Sequence, residues 1–272
     1  MAGKPSLSED LFPSLEGIDR LMLIGPTDVG KSTFITRYLK HLRSKGIVPW
    51  VVDLDVGQSD VGPVGTLAAA RADRDFSLLE ELEPSFVEFF GYLAPSFDLI
   101  TYMWCLRRLA LHLREASPLV IDTTGWVSGY EAFSLKLVKS LLFRVDAVVL
   151  VGESLCRWSK AFEAVGVKTF CVDPSPHAIR KDKKRRRINR YAATEAFFRD
   201  KPAVRIRLGE YALWTRSFKD LKFSLMGGLD DRLATVYVGW IVEHEGDTVV
   251  AKLHVIRKMR PSIIRIGQKV TL

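Results

Sequence analysis

Short apolar runs alternate with amphipathic segments through the first two thirds of the chain. Residues 20–25 (RLMLIG) form an apolar run that ends in glycine, and apolar side chains then recur at helical spacing from Phe34 to Leu42. This order predicts a strand, a loop and a helix. The next run, residues 48–55 (VPWVVDLD), is rich in β-branched and aromatic residues. A right-handed crossover would lay it parallel to the first strand.

The alternation continues toward residue 173 and then changes. Strands are predicted near 86–91 and within 118–126, 146–152 and 168–173, and helices at 97–115 and 130–142. Such alternation indicates an α/β fold with a doubly wound, mostly parallel sheet. Later strands are predicted at 203–209, 234–244, 248–256 and 262–267, without a convincing helix. We therefore predict a first domain over 1–200 and a small C-terminal β domain over 201–272.

The bulk composition limits the classes of protein. With 272 residues and 47% hydrophobic content, the chain can form a sizeable core. Its net charge of +8 favours polyanionic partners such as nucleic acid, although acidic small substrates remain possible. The N-terminal residues lack an apolar secretion signal, and no apolar run is long enough for a bilayer. We predict a soluble cytoplasmic protein that is not exported and has no membrane partner.

Residues 25–33 (GPTDVGKST) match the pattern G-x-x-x-x-G-K-[ST] between a predicted strand and a predicted helix. Gly25 and Gly30 allow a tight backbone whose amides surround phosphates, Lys31 reaches the β and γ oxygens, and the Ser32 hydroxyl is a ligand for Mg²⁺. A purely structural glycine loop is the alternative, which this context disfavours. The predicted nucleotide-binding residues are Gly25, Thr27, Asp28, Val29, Gly30, Lys31, Ser32 and Thr33, of which Thr27 and Thr33 are assigned local hydrogen bonds rather than chemistry.

A second loop, residues 53–65 (DLDVGQSDVGPVG), follows the second strand. Asp53 and Asp55 would share one strand face, and Asp55 lies nearer the loop. We assign Asp55 as the carboxylate that orients and deprotonates an acceptor hydroxyl in phosphoryl transfer. The alternative for both aspartates is to hold a metal-bound water or to cap the loop. Gln58 could orient a metal water or an acceptor, while Ser59 and Asp60 are equally plausible as turn residues.

Residues 120–126 (VIDTTGW) end the next strongly predicted strand. Their position places Asp122 near Mg²⁺, with Thr123 beside it. Trp126 either clamps a substrate or packs against the sheet.

A basic segment, residues 180–190 (RKDKKRRRINR), precedes a helix-compatible tail, YAATEAFF. It could form a mobile helical cover that presents arginines to the phosphates. A solvated charge run, a nuclear-localisation signal and a nonspecific nucleic-acid tether are the alternatives. In the C-terminal part, Arg257, Lys258, Arg260 and Arg265 either support nucleic acid or are simply exposed.

Taken together, these blocks resemble the polynucleotide 5′-hydroxyl kinase family, which includes RNA kinases of mRNA 3′-end cleavage, tRNA splicing and pre-rRNA processing and their archaeal and bacterial stand-alone relatives. The matching blocks are the phosphate loop, the D-x-D-x-G-Q segment at 53–58, the T-x-G-W element at 123–126 and an arginine-bearing lid at about 178–200. The resemblance covers about residues 20–200. Larger members carry an N-terminal β domain that helps hold the nucleobase, whereas about twenty residues precede the first predicted strand here.

The resemblance implies a P-loop NTPase-type fold with a helical lid, and transfer of the γ-phosphate of ATP or another NTP to 5′-hydroxyl ends of RNA and DNA with Mg²⁺. No obligate protein partner is evident. The implied catalytic residues are Lys31, Asp55, Arg190 and either Arg185 or Arg186. These lid arginines fall, together with Arg180, at lid-like spacing. The implied acceptor-binding residues are Gln58, Ser59, Asp60, Thr124, Gly125 and Trp126. The implied Mg²⁺ ligands, direct or through water, are Ser32, Asp55, Asp122 and Thr123.

Two other functions remain open. A regulatory NTPase switch would share this sheet topology, but the chain has no N-K-x-D guanine motif. A noncatalytic nucleic-acid-binding subunit could retain nucleotide as a structural ligand, but the intact Lys31, Ser32 and Asp55 argue against it.

Overall fold

Two sheets form the framework of the protein, which a computed structural model describes over residues 5–179, 181–217 and 219–272. The first sheet contains β1 (Arg20–Ile24), β2 (Trp50–Leu54), β3 (Thr66–Arg71), β4 (Phe86–Phe89), β5 (Leu119–Thr123), β6 (Ala147–Val151) and β7 (Lys168–Val172). Their order across the sheet is β4-β3-β2-β5-β1-β6-β7. Strands β2, β5, β1, β6 and β7 are parallel. Their carboxyl ends therefore lie along one edge of the sheet.

Helices cover both faces of this sheet. They are α1 (Lys31–Ser44), α2 (Leu99–His112), α3 (Tyr130–Leu142), α4 (Ser159–Ala164) and α5 (Lys183–Phe198). The apolar stripe of α1 packs with a 3₁₀ segment at Glu9–Leu15 on one face, while α2, α3 and α4 pack on the other. The predicted doubly wound, mostly parallel fold is confirmed. No helix in the described ranges is long and apolar enough to cross a membrane.

Strand β3 is absent from the sequence prediction. It runs antiparallel to both β2 and β4, so it inserts between two strands that the prediction placed in the sheet. Its sequence, TLAAAR, has few β-branched or aromatic side chains, which is why propensity did not identify it. Pairing with two neighbours and burial of its alanines stabilise it instead.

The second sheet contains β8 (Ala203–Arg207), β9 (Ala212–Trp214), β10 (Ser224–Leu229), β11 (Thr235–Glu245), β12 (Thr248–Val255) and β13 (Ile263–Lys269), in the order β8-β12-β11-β10-β13-β9. The prediction missed β9 and β10. The two glycines of β10 weaken its strand signal, but neighbouring rings require them. A Cβ on Gly227 would lie 2.2 Å from the Phe89 ring, and one on Gly228 would lie 2.4 Å from the Tyr237 ring.

The second sheet packs directly against the first. Leu225, Leu229 and Trp240 belong to the same apolar cluster as Phe89 of β4. The Thr235 hydroxyl accepts a hydrogen bond from the Phe89 amide at 2.9 Å. The proposed boundary near residue 200 therefore separates two sheets that share one apolar core, and it stays a proposal.

Candidate active site

The phosphate loop joins β1 to α1 in the predicted position. Gly30 precedes α1 with φ 93°, and Asp28 adopts φ 61°, so the loop uses left-handed backbone at two positions. A Cβ on Gly30 would lie 2.8 Å from the Ser175 Cβ, and one on Gly25 would lie 2.9 Å from the Val151 Cβ. Close neighbours therefore require both glycines, and Gly30 is also required by its left-handed backbone.

Lys31 and Ser32 occupy the first turn of α1, where their functional groups meet different partners. The Lys31 Nζ donates to the carbonyls of Gly25 at 3.2 Å and Pro26 at 2.9 Å, which holds the ammonium over the loop. The Ser32 Oγ donates to the Asp122 carboxylate at 3.2 Å. Burial raises the pKa of Asp122, and the Lys31 ammonium opposes that rise. This loop can thus bring a cation, a hydroxyl and a carboxylate to one group of phosphates.

Asp53 organises the second loop. Its Oδ1 accepts from the Asp55 amide at 2.8 Å, and its Oδ2 accepts from the amides of Asp60 at 2.6 Å and Val61 at 3.0 Å. The Ser59 hydroxyl donates to the same oxygen at 3.0 Å. Asp53 is buried beside Asp122 in the register of β2 and β5. The capping alternative for Asp53 therefore agrees with its contacts.

Asp55 lies immediately after the end of β2, at the carboxyl edge of the sheet. Its Oδ1 accepts from the amides of Gly57 at 3.1 Å and Gln58 at 3.2 Å, which fixes the orientation of the carboxylate. The side chain lines the same cavity as Lys31. Asp55 is thus held next to the phosphate loop and remains accessible from the cavity.

Two roles, in the turn and in acceptor binding, were proposed for both Ser59 and Asp60, and the structure separates the two residues. Ser59 is buried, and its hydroxyl also donates to the Val61 carbonyl at 2.9 Å, so its contacts favour the turn role over acceptor binding. The Asp60 carboxylate lines the cavity near Ser32. Burial raises the pKa of Asp60 to about 6, and Asp122 adds to the rise. Asp60 therefore lies closer to the phosphate end of the site than the sequence suggested.

The T-x-G-W element packs against the phosphate loop rather than projecting into the cavity. The buried Thr123 hydroxyl donates to the Leu23 carbonyl at 2.7 Å, so the geometry does not support Thr123 as a direct metal ligand. A Cβ on Gly125 would lie 2.5 Å from the Thr27 amide nitrogen, and the glycine therefore lets the two loops touch. Trp126 is half-buried against the apolar cluster beneath the sheet. These contacts agree with the alternative that Trp126 packs against the sheet, and part of its side chain remains exposed.

The basic segment forms α5, and one of its faces turns toward the phosphate loop. The Arg186 Nη1 donates to the Thr27 hydroxyl at 3.2 Å. Lys183, Lys184, Arg186, Arg187 and Arg190 line one recess. Arg185 is exposed and outside that lining, so Arg186 rather than Arg185 contacts the phosphate loop, and its catalytic role stays a proposal. Arg180 lies outside the described residues.

Arg190 is half-buried on the same face as Arg186. Burial lowers the pKa of its guanidinium, the Arg186 charge adds to the lowering, and the Asp55 carboxylate opposes it. The C-terminal part of α5 is anchored on the second sheet, where the rings of Tyr191 and Trp240 meet edge to face at 5.8 Å. The lid helix therefore bridges the phosphate loop and the C-terminal sheet.

A cavity of about 370 Å³ runs along the phosphate loop. The predicted site residues that line it are Thr27, Asp28, Gly30, Lys31, Ser32, Thr33, Asp55, Gln58, Asp60 and Asp122. Those outside its lining are Gly25, Val29, Ser59, Thr123, Thr124, Gly125, Trp126, Arg185, Arg186 and Arg190. The sequence reasoning missed Leu7, Ser8 and Glu9, and His177 and Ile179, which close one end. The N-terminal segment reaches that position because the Leu7 amide donates to the Asp173 carbonyl at 2.9 Å.

Two fully buried lysines of α3 lie beneath the site and were also missed. The Lys136 Nζ donates to the carbonyl of Thr124 at 2.5 Å and to its hydroxyl at 3.2 Å. The Lys139 Nζ has no hydrogen-bond partner and lies 4.9 Å from the centre of the Tyr102 ring, whose hydroxyl donates to the Leu54 carbonyl at 2.8 Å. Helical spacing from Ala132 would have placed both lysines on the buried stripe.

Lys139→Met is expected to stabilise the fold near neutral pH. Burial lowers the pKa of Lys139 from 10.5 to about 7, against the opposing effect of the nearby carboxylates, Asp55 foremost. Because the folded-state pKa is depressed, the unfolded chain binds more protons between those pH values, and wild-type stability rises with pH across that window. The substitution should add about 1–3 kcal/mol at pH 7, and the gain should shrink toward pH 10. Urea unfolding at both pH values measures it.

Lys136→Met is the matched control on the same helix. It leaves the Thr124 carbonyl without its buried donor, so the free energy of unfolding should stay level or fall rather than rise. Equal stabilisation by both substitutions would contradict the distinction between a partnered and an unpartnered ammonium.

The crossover from β1 through the glycine loop into α1, at the carboxyl edge of a parallel sheet, places this protein among the P-loop nucleotide-binding proteins. The sequence model of the family described as "mRNA cleavage and polyadenylation factor CLP1 P-loop" matches residues 25–200. The chain belongs to that family, and the resemblance drawn from its four sequence blocks is confirmed.

Individual relatives agree with this membership. The chain is 33% identical over 239 residues to a polyribonucleotide 5′-hydroxyl kinase of Thermococcus kodakarensis, a match over 85% of this chain and 66% of that protein. It is 28% identical over 241 residues to a CLP1 homolog of Arabidopsis thaliana, over 83% of this chain and 52% of that protein. The chain thus spans about half to two thirds of the length of these relatives.

A solved structure of wild-type Clp1p in complex with Pcf11p has the same fold. The TM-score is 0.74 at 14% sequence identity, and the match covers 96% of this chain and 76% of that chain. The likeness extends across both sheets, because a match over 96% of the chain includes the C-terminal strands.

Proposed function

We propose that this protein is a polynucleotide 5′-hydroxyl kinase that transfers the γ-phosphate of ATP or another NTP to the 5′-hydroxyl end of RNA. The observation that carries the proposal is that Asp55 lines the same cavity as Lys31 and Ser32. A nucleotide switch has no need of an oriented carboxylate at that point, whereas a kinase requires one for its acceptor hydroxyl. Family membership and the named activity of the Thermococcus relative support the same function.

The side-chain oxygen atoms at the carboxyl edge of the first sheet are suitable ligands for Mg²⁺. Ser32 and Asp122 are hydrogen-bonded to each other, and Asp55 and Asp60 line the same cavity. Mg²⁺ commonly takes one or two carboxylates and completes its shell with substrate phosphates and waters. Within the described ranges, no group of three or more His, Cys, Asp or Glu side chains is arranged to hold a metal by itself. Ser32 and Asp122 would hold the ion, which would neutralise charge on the transferring phosphates.

The residues of the chain divide the remaining work. Lys31 would exchange the carbonyls of Gly25 and Pro26 for phosphate oxygens, since its ammonium already lies over the loop. Asp55 would accept the proton of the acceptor hydroxyl as that oxygen attacks the γ-phosphorus in line, while the bond from the γ-phosphorus to the β,γ-bridging oxygen breaks and the nucleoside diphosphate leaves. Arg186 and Arg190 would stabilise the charge on the transferring group from the lid side. Leu7 and Ile179 would contact the nucleobase end of the nucleotide.

Phosphate transfer from γ-labelled ATP to 5′-hydroxyl oligonucleotides tests the proposal. The wild-type protein with Mg²⁺ should label RNA, and a DNA oligonucleotide of the same sequence tests whether the acceptor extends to DNA. Lys31→Met should bind nucleotide weakly and label neither. Wild-type protein that releases free phosphate without labelling either oligonucleotide would reject the kinase and favour a regulatory NTPase. Nucleotide bound without turnover would favour the noncatalytic subunit.

The phosphate-transfer assay does not test for protein partners or for the cellular compartment. The solved structure is a complex of Clp1p with Pcf11p. By analogy, we propose that a protein partner of this chain should be sought as well. The expected absence of an obligate partner and the cytoplasmic location stay predictions.

A further inference from the structure

A cluster of rings and guanidinium groups lies beside the second loop, which contacts the segment carrying Tyr92 at Leu93. Phe97 stacks on Tyr92 with ring centres 5.9 Å apart and planes 16° apart. The Arg216 guanidinium lies 5.2 Å from the centre of the Tyr92 ring, and its Nη2 donates to the Phe97 carbonyl at 2.7 Å. Trp214 completes the cluster on β9. The side chains of Phe97 and Trp214 are 48% and 38% exposed.

A buried arginine holds this cluster in place. Arg265, on β13, is 1% exposed and lies 4.4 Å from the centre of the Trp214 ring and 5.5 Å from that of Tyr92. Its Nη2 donates to Asp98, the N-cap of α2, at 2.9 Å. The alternative that Arg265 is simply exposed is therefore wrong, because the side chain is enclosed by rings, and the alternative that it supports nucleic acid stays a prediction. It supports the rings of Tyr92 and Trp214, while Phe97 and Trp214 remain partly exposed to solvent.

The cluster is continuous with the acceptor end of the active site. A Cβ on Gly57 would lie 2.6 Å from the Leu93 carbonyl oxygen and 3.6 Å from the Asp55 carboxylate. The second loop and the segment that carries Tyr92 therefore touch through their backbones. The Leu93 amide also donates to the Gln268 side chain at 3.2 Å, which ties this junction to the second sheet. The segment that carries the rings is therefore adjacent to the loop that carries Asp55.

We propose that Phe97, Trp214, Tyr92 and Arg216 form a stacking platform for single-stranded polynucleotide, taking the nucleotides that follow the acceptor 5′ end. Exposed aromatic faces supported by arginine are the elements with which proteins hold unpaired bases, since every base offers a π face and the backbone is anionic. The net charge of +8 favours the same ligand. The platform rests on the proposed kinase function for its direction, and it reads no particular base sequence.

Acceptor length separates the platform from the catalytic residues. A 5′-hydroxyl dinucleotide ends before the platform, whereas an oligoadenylate of about ten nucleotides covers it. Phe97→Ala should raise the KM for the long acceptor by about 5- to 100-fold. It should leave kcat, and the KM for the dinucleotide, at wild-type values. Phe97→Tyr keeps the aromatic face and should restore the wild-type KM.

Arg216→Ala has a matched control in the same sheet. Arg260 lies 5.3 Å from the centre of the Tyr211 ring, the same arrangement as Arg216 on Tyr92, but it pairs with Glu210 away from the second loop. Arg216→Ala should raise the KM for the long acceptor, and Arg260→Ala should not. Equal effects of the two substitutions, or a long-acceptor KM unchanged in Phe97→Ala, would overturn the platform.

Binding measured without ATP keeps the test independent of the kinase. Fluorescence anisotropy of a 3′-labelled oligoadenylate should show a weaker Kd for Phe97→Ala and Trp214→Ala than for the wild type. If the wild-type protein phosphorylates nothing yet this difference appears, the proposed kinase function fails and the platform stands. If both variants bind the oligoadenylate with wild-type Kd, the rings are free for a protein partner instead and the platform is rejected.

Discussion

Asp55→Asn is expected to lower kcat for phosphate transfer to a 5′-hydroxyl RNA by about 10²- to 10⁴-fold, while the Kd for nucleotide stays near the wild-type value. The substitution isolates the charge, because an asparagine Oδ1 can still accept from the amides of Gly57 and Gln58. The loop should keep its conformation, so thermal unfolding should be unchanged. Single-turnover transfer from γ-labelled ATP, with nucleotide binding measured separately, checks this.

Asp53→Asn and Asp60→Asn are the comparison variants for Asp55→Asn. Asp53 accepts four hydrogen bonds within the loop, so its substitution should lower Tm as well as activity. Asp60 lies in the same cavity and is the rival for the proton-accepting role. If Asp55→Asn transfers phosphate as fast as the wild type, or if only Asp60→Asn is slow, the assignment of Asp55 as the base is wrong.

The position of the site could be predicted from the sequence, because its determinants are local. The phosphate loop follows an apolar run and precedes a helical stripe, so Lys31 and Ser32 had to lie at the carboxyl edge of the sheet. Asp55 follows β2, and Asp122 lies near the end of its parallel neighbour β5, so both lie where the two strands end. Side-chain spacing along each strand and the right-handed crossover are sufficient for these inferences.

The direction of individual side chains could not be predicted in the same way. Whether the Thr123 hydroxyl faces a ligand or a carbonyl depends on a partner distant in sequence, here Leu23. The Ser59 hydroxyl depends on how its own loop folds around Asp53. Strand β10 exists because the rings of Phe89 and Tyr237 fill the space above its glycines. Those contacts join segments far apart in the chain, so the hydrophobic periodicity of one segment cannot predict them.

The choice between Arg185 and Arg186 is a question of helical phase, because adjacent residues on a helix point about 100° apart. The start of α5 after Asp182 sets that phase, since the Asp182 carboxylate accepts from the Arg185 amide at 2.6 Å. Arg186 consequently faces Thr27, and Arg190 follows one turn later on the same face. A run of adjacent basic residues leaves the phase undetermined until the N-cap is known.

Arg186→Ala and Arg190→Ala are each expected to lower kcat, by up to about 10³-fold for the arginine that reaches the transferring phosphate. Both guanidinium groups line the recess on α5, where Arg186 donates to Thr27 of the phosphate loop and Arg190 is affected by the Asp55 carboxylate. Arg185→Ala is the matched control: it removes the same charge from the same helix turn, but from an exposed position outside that recess. Single-turnover rates for the three variants, at one fixed salt concentration, separate a directed contact from general electrostatic attraction. Equal losses in all three would reduce the basic face of α5 to a nonspecific charge effect.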